Sequence, residues 1–139
     1  MGLAWLRGLG DRLRPLRGEH RQRGRAGERL AERHLREQGW RILARNVRNR
    51  FGELDLIGQD PAGTLVFVEV KAGASRPGYP PELHVTPAKQ RKIVGLAAQF
   101  ARRHRLTDRP MRFDVIAVEF SGDQPPAVRH HRGAFEARV

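Results

Sequence analysis

The chain has 139 residues, with 27 Lys and Arg against 15 Asp and Glu, and a net charge of +12 at pH 7. This length predicts one domain with a modest core, and the absence of cysteine excludes disulfides and thiolate metal sites. The positive charge favours a polyanionic partner, most simply nucleic acid, over anionic lipid or a role in solubility alone.

The first residues predict neither a signal segment nor a membrane anchor. Residues 1–23 are rich in Arg and Gly and contain few apolar residues after Leu16, which predicts a basic flexible arm. The apolar start, residues 1–6, is too short for a signal sequence, and no apolar run approaches the length of a membrane span. We therefore expect a cytoplasmic protein with no membrane partner.

The next segment predicts a helix followed by a strand. Small and apolar side chains recur at helical spacing from about residue 25, with Gly39 as the stop: Gly27, Leu30, Ala31, His34 and Leu35. A strand over residues 40–47 follows, and a basic turn, Arg48-Asn49-Arg50, leads out of it.

Two further strands, residues 52–57 and 66–71, are separated by a turn cluster, Asp60-Pro61-Ala62-Gly63-Thr64. A hairpin folded about Ala62 places Asp55 opposite Glu69, although a bulge in the loop would shift this register. Alternation then predicts one polar and one apolar face. The polar face carries Glu53, Asp55, Phe67, Glu69 and Lys71, and the apolar face carries Leu54, Leu56, Val66, Val68 and Val70.

The polar face of this hairpin has the residues of a metal-dependent phosphodiesterase site. Cross-strand neighbours lie about 4.5–5.5 Å apart at Cβ, so Asp55 and Glu69 could both reach one hard cation, with Lys71 beside them. An ordinary solvated hairpin face would explain the same residues. Against that reading, the apolar run 65–70 is interrupted only by Glu69, as in a central strand where an unpaired charge is costly.

Lysine usage also favours a specific role for Lys71. Only three of the 27 basic residues are lysine. A position that needed only positive charge would be Arg in such a chain, whereas a compact ammonium group is what lysine alone supplies.

The remaining elements complete an α/β layer structure. A Gly/Pro-rich loop, residues 72–85, precedes Thr86-Pro87, which predict the N-cap and first turn of a helix running to about residue 104. We expect this helix to bury Ile93, Leu96, Ala97 and Phe100. A strand over 111–120 follows, which Pro125-Pro126 are predicted to end, and the basic tail beyond adds at most a short edge strand. The order predicts a mixed sheet of four to five strands, the last parallel to the third through a right-handed crossover.

An acid on one strand, Glu-x-Lys on its neighbour and a preceding helix with a glutamate resemble the PD-(D/E)XK nuclease-like superfamily. More closely, the chain resembles the YraN family, an uncharacterised bacterial group related to archaeal Holliday-junction resolvases. The resemblance covers about residues 25–135, with Leu54 at the position of the superfamily's proline. The matching stretches are Gly27-Glu28, Ala31-Glu32, Gly39-Trp40, residues 52–57 and 66–71, Lys89 and Arg112-Phe113-Asp114-Val115, with residues 132–135 as a looser match.

The resemblance implies a restriction-endonuclease-like fold. The organisation of the chain predicts a nuclease-like core domain over residues 24–120 and a basic tail over 121–139. The resemblance further implies that Asp55 and Glu69 bind Mg²⁺ or Mn²⁺ and that Lys71 orients or helps to deprotonate the attacking water. Glu28 would approach the metal from the first helix, although with Glu32 it is also typical of a solvated helix face.

Outside this set, four basic residues are predicted to contact nucleic acid: Arg48, Arg50, Lys89 and Lys92. The two lysines lie in the first turns of their helix, where cations oppose the helix dipole. We expect Asp114 to form a structural ion pair with Arg112. Adjacent His130 and His131 point to opposite faces of a strand and predict no metal site.

Two functions therefore remain open. The first is a metal-dependent endonuclease acting on DNA, with branched or junction DNA as a candidate substrate. The second is a non-catalytic nucleic-acid-binding protein that retains the nuclease-like fold, and nothing in the sequence requires a third, an assembly adaptor. Junction resolution would favour a homodimer, since two symmetric cuts need two sites.

Overall fold

A five-stranded mixed sheet organises residues 20–78 and 80–136, which are the residues that the computed structural model describes. The elements are α1 (His20–Glu37), β1 (Arg41–Asn49), β2 (Gly52–Gln59), β3 (Leu65–Ala74), a short 3-10 helix (Pro81–His84), α2 (Pro87–Arg103), β4 (Met111–Ser121) and β5 (Gln124–Phe135). The strands lie side by side in chain order, with β3 and β4 parallel and the other pairs antiparallel. The predicted mixed α/β sheet of four to five strands flanked by helices is confirmed.

The helices cover opposite faces of the sheet, each over its own core. On one face Ala31 and Leu35 of α1 pack with Val66 and Val68 of β3. On the other face the predicted apolar side of α2, including Ile93, packs over β2 and β3. As predicted, β3 is therefore central, and all of its residues from 65 to 70 are buried. Burial on both faces means that the charged residue in this run must find partners.

The predicted faces of the hairpin are correct except at Leu54. Leu56 packs in the α1-side core, whereas Leu54 and Ile57 both pack in the α2-side core. Regular alternation would put Leu54 on the same face as Leu56. The facing of β2 therefore switches at Asp55, which lies between them.

The ends of several elements differ from the prediction. The described part of α1 begins at His20, five residues before the predicted start at Arg25, and the rest of the predicted basic arm, residues 1–19, lies outside the described residues. At α2 the prediction is confirmed, because the Thr86 hydroxyl accepts a hydrogen bond from the Lys89 amide (3.2 Å) and Pro87 occupies the first turn.

At the C-terminal end, the expectation that Pro125-Pro126 end the strand over 111–120 is wrong. β4 ends at Ser121, and the two prolines lie inside β5, a strand of 12 residues that pairs antiparallel with β4. An edge strand tolerates proline because its outward amides need no partner. The prolines also coincide with a register shift between Glu119 and Ser121.

The predicted Arg112–Asp114 ion pair is confirmed, within a larger network. The fully buried Asp114 accepts hydrogen bonds from Arg112 Nε and Nη2 (2.8 and 3.0 Å) and from the Gly133 amide (2.9 Å), and contacts His130 Nε2 (2.7 Å). Burial opposes ionisation, but these partners outweigh it and hold the pKa of Asp114 at about 2. His131 contacts a different carboxylate, that of Glu82.

Across the described ranges, neither helix has the length and apolar character needed to cross a bilayer.

Candidate functional site

The site is centred on Asp55, at the point where the β2–β3 ladder stops. The paired residues of these strands end at Leu56 and Val68, one step before Asp55 and Glu69. The Val70 amide donates instead to Asp55 Oδ2, at 2.7 Å. A side chain thus takes the place of a strand carbonyl, which fixes the Asp55 carboxylate between the two strands.

Helix α1 brings Glu28 to this carboxylate. Gly27, next to it, allows the close approach, because a Cβ at Gly27 would lie 2.6 Å from the Cβ of Ala72 on β3. A side-chain hydrogen bond with Asp55 acts to lower the pKa of Glu28. Burial, together with the charges of Glu53 and Glu69, raises the pKa of Glu28.

Asp55 is the most strongly perturbed carboxyl of the site. Burial raises its pKa well above the usual range, and the charges of Glu69 and Glu28 raise it further. The hydrogen bond from the Val70 amide acts in the opposite direction but does not compensate. Three carboxylates from α1, β2 and β3 therefore act on one another, as in sites that bind cations or transfer protons.

Glu69 is held by two lysines. Its Oε1 lies 2.6 Å from Lys89 Nζ, on α2, and 3.7 Å from Lys71 Nζ, on β3. Burial lowers the pKa of Lys71, and the neighbouring Lys89 lowers it further. Burial would also lower the pKa of Lys89, but the charge of Glu69 outweighs it and the pKa is raised.

Sequence reasoning placed Lys89 among the nucleic-acid contacts and missed its contact with Glu69. The two residues belong to different elements on either side of a long loop, so local spacing carries no signal for this pair. The sequence also gave no signal for Asn46, whose side chain hydrogen-bonds Glu28.

The oxygen donors of the site are of the kind that a hard divalent cation prefers, although their side chains are not grouped around one position. Among the described residues, no three Asp, Glu or His side chains are gathered as a metal-binding set, because Glu69 faces its lysines while Asp55 faces Val70 and Glu28. Carboxylate oxygens are the ligands that Mg²⁺ and Mn²⁺ prefer. A cation would also relieve the repulsion that raises the pKa of Asp55.

Of the predicted nucleic-acid contacts, Arg50 and Lys92 lie where the β1–β2 turn meets α2. Arg48 pairs with Glu53 (3.1 Å), and the Arg50 guanidinium lies 4.9 Å from the centre of the Phe51 ring. Lys92 of α2 is exposed and lies beside Gly52, so the β1–β2 turn and the start of α2 form one basic rim. The fourth predicted contact, Lys89, is on the same helix but is engaged inside the site.

The mixed sheet with a helix on each face defines a protein of the α/β class. The chain belongs to the uncharacterised protein family UPF0102, the YraN family, which it matches over residues 27–118.

The relatives cover most of the chain. It is 43% identical over 121 residues to a UPF0102 protein of Pelobacter propionicus, covering 86% of each chain. It is 46% identical over 117 residues to one of Symbiobacterium thermophilum, covering 84% of this chain and 98% of the relative. Among solved structures, Pyrococcus furiosus SfsA in complex with Ca²⁺ aligns with a TM-score of 0.42 at 17% identity, covering 83% of this chain and 64% of that one.

Proposed function

We propose that this protein is a metal-dependent endonuclease that hydrolyses phosphodiester bonds in DNA. The observation that carries the proposal is the convergence of Glu28, Asp55 and Glu69 with Lys71 where the β2–β3 ladder stops. Structural ion pairs alternate charges, whereas here burial, and then the charges of the two neighbouring acids Glu69 and Glu28, raise the pKa of Asp55.

The residues divide the work of hydrolysis between them. Asp55 and Glu69 would hold Mg²⁺ or Mn²⁺, with the Val70 carbonyl and Glu28 as further oxygen donors. When bound, the metal supplies Lewis-acid polarisation of the phosphate and activation of water. Lys71, whose pKa is lowered by burial and by Lys89, is suited to orient that water or accept its proton.

DNA with branches or junctions is the substrate that we propose. The net charge of +12 and the basic rim at Arg50 and Lys92 favour phosphate contacts without base recognition. Two symmetric cuts at a junction need two sites, so this substrate goes together with a homodimer.

One observation favours a second candidate, a nucleic-acid-binding protein that keeps the fold without catalysis. Lys89 already neutralises Glu69, at 2.6 Å, as a structural ion pair would. In that case the acidic residues would only stabilise the fold, and the basic rim alone would bind nucleic acid.

The test is a cleavage assay of the purified full chain on labelled duplex, single-stranded, four-way-junction and RNA substrates, with Mn²⁺ or with EDTA. Lys71→Arg keeps the positive charge but replaces the ammonium group with a larger planar guanidinium group, whose nitrogen atoms cannot occupy the position of Lys71 Nζ. A displacement of about 1 Å can cost on the order of 100-fold in rate. We expect Lys71→Arg to fold and to bind metal and DNA, yet to lose nearly all cleavage.

Lys92→Arg is the matched control, since Lys92 is exposed on the basic rim, and it should cleave like the wild type. Cleavage by Lys71→Arg within a few-fold of wild type would reduce Lys71 to a structural residue. A wild-type protein that binds DNA but cleaves none of the substrates with Mn²⁺ would establish the non-catalytic function.

A further inference from the structure

Asn46 has an unusual backbone conformation for a residue inside a strand. Its φ is 49°, and within residues 20–78 and 80–136 only one other non-glycine residue, Arg105, has a positive φ. Arg105 follows the end of α2, where left-handed residues commonly terminate helices. Asn46 lies within β1, and strained conformations of this kind persist where the surrounding structure imposes them, often at functional sites.

Asn46 stands directly opposite Asp55. The register between β1 and β2 brackets the two residues, with one cross-strand pair on each side: Arg45 with Leu56 and Val47 with Leu54. The strained residue of β1 and the most perturbed carboxyl of the site are thus cross-strand neighbours.

Both strands switch faces at this pair. Ala44 and Val47 are three residues apart in β1, yet both pack in the α2-side core. Leu54 and Ile57, also three apart in β2, do the same. Strict alternation would place the members of each pair on opposite faces. The left-handed turn at Asn46 accounts for the switch in β1, and the paired strand follows it.

The side chain of Asn46 also reaches the site. It hydrogen-bonds the carboxyl of Glu28, which in turn shares a hydrogen bond with Asp55. Asp55 then accepts the amide hydrogen of Val70. A chain of contacts therefore runs from β1 through α1 and β2 to β3.

We propose that Asn46 is a positioning residue of the site. Its backbone turns β1 and β2 so that the Asp55 side chain points between β2 and β3, and its amide holds Glu28 against Asp55. Asparagine combines the two roles, since it tolerates the left-handed region better than other residues with a side-chain donor. The consequence for metal binding rests on the proposed function, whereas the contact with Glu28 does not.

Two substitutions of Asn46 distinguish the effect of its backbone conformation from the effect of its side-chain amide. Asn46→Gly permits the same φ but removes the amide, so the full-length variant should melt at or above the wild-type temperature. Loss of a residue that orients metal ligands typically costs 10–100-fold in metal affinity, and we expect a loss of about this size for Mn²⁺ in calorimetric titration without DNA. Asn46→Ala should show the same loss of affinity and, in addition, a lower melting temperature.

Arg105→Gly is the matched control, because it places glycine at a left-handed position away from the site. This variant should leave the Mn²⁺ affinity unchanged. Wild-type Mn²⁺ affinity in Asn46→Gly, within about twofold, would overturn the positioning role.

A second measurement keeps the inference testable without metal. If the wild type binds no Mn²⁺, the proposed function fails, but hydrogen exchange of the Asn46 side-chain amide in the metal-free protein still reports its contact with Glu28. NMR should show slow exchange in the wild type and exchange at least about tenfold faster in Glu28→Ala. Equal exchange rates in the two proteins would overturn the proposal.

Discussion

Opposing influences act on the single carboxyl group of Asp55. The Val70 amide favours its charged form, whereas burial and the charges of Glu69 and Glu28 favour the neutral form and prevail, so the pKa is raised. A carboxyl whose pKa is higher in the folded than in the unfolded state stabilises the fold at low pH. It loses that contribution as the pH rises through the folded pKa. The Asp55 carboxyl therefore favours the metal-free fold less and less as the pH rises.

Asp55→Asn should remove the ionisable carboxyl group while keeping the shape of the side chain. The amide oxygen can still accept from Val70, so we expect the metal-free variant to be as stable as the wild type or more stable at pH 7. Mg²⁺ or Mn²⁺ should raise the melting temperature of the wild type but not of the variant. Differential scanning calorimetry measures both, with the exposed Asp123→Asn as a control. Strong destabilisation of metal-free Asp55→Asn would identify Asp55 as a structural partner.

Lys89 occupies the Glu69 oxygen that a metal would need. Its Nζ lies 2.6 Å from Glu69 Oε1, and a cation bound there must displace it. Lys89→Gln should therefore tighten Mn²⁺ binding by about tenfold, equivalent to about 1.4 kcal/mol, while weakening DNA binding. Titration calorimetry tests the first effect, with Lys92→Gln as the control. Weaker Mn²⁺ binding in Lys89→Gln would show that Lys89 supports the ligand geometry rather than competing with the ion.

At the scale of the elements, the docking of α1 decides where Glu28 lies. A methyl group at Gly27 would lie 2.6 Å from Ala72 Cβ. Alanine in a helix gains up to about 1 kcal/mol over glycine, but overpacking costs about 1–3 kcal/mol, so the clash should prevail. We expect Gly27→Ala to lower the free energy of unfolding and, by moving Glu28, the affinity for Mn²⁺.

The double variant Gly27→Ala/Ala72→Gly tests this reason directly. Removing the Ala72 methyl group makes room for the new one, so the double variant should recover stability and Mn²⁺ affinity relative to Gly27→Ala. Denaturant unfolding gives the coupling between the two sites. Strict additivity would show that the two methyl groups do not meet.

The Asp114 network joins β4 to β5 and gives a prediction about acid stability. The pKa of Asp114 is about 2 in the fold against an ordinary value of 3.8. A depressed carboxyl pKa stabilises the fold above its unfolded value, and this contribution is lost as the pH falls from about 4 to about 2. Asp114→Asn should lose about 2 kcal/mol at pH 7. Urea unfolding at a series of pH values measures this, and the difference from wild type should vanish toward pH 2. A difference that stays constant with pH would mean that the charge of Asp114 contributes nothing.

The elements also show what local sequence can and cannot predict. The buried run of β3, the Thr86 cap and the parallel crossover follow from composition and spacing, and each is present. The switch of faces at Asp55 could not be predicted, because it depends on a left-handed backbone at Asn46 that no side-chain pattern reveals. The prediction from Pro125-Pro126 was wrong because it depends on the position of the strand in the sheet, which the sequence does not reveal. Proline is excluded from central strands but tolerated at an edge and beside a register shift.

The candidate site divides in the same way. Asp55, Glu69 and Lys71 follow from alternation on a hairpin. The family resemblance also placed Glu28 beside them. The contact of Lys89 with Glu69 could not be predicted, because only the packing of α2 against the sheet brings these two residues together.

At the scale of the whole molecule, the net charge of +12 leads to a prediction about binding. Each phosphate neutralised by Lys or Arg contributes a slope of about −0.9 to log K against log salt concentration on duplex DNA. We expect sequence-independent binding that weakens steeply between low and physiological salt, measurable by fluorescence anisotropy on unrelated duplexes.

Deleting residues 1–19 tests how the charge is distributed. The deleted segment carries four arginines and two acidic residues, a net +2 of the total +12, and has too little apolar content to join a core. The truncated protein should therefore melt like the full chain and bind DNA more weakly, with a salt slope shallower by at most about four phosphate contacts. Most of the slope should remain, because the basic rim at Arg50 and Lys92 is retained. A DNA affinity of the full chain that does not change with salt would contradict phosphate-based binding altogether, and loss of the whole slope on truncation would place the DNA contacts in residues 1–19 instead of on the rim beside the site.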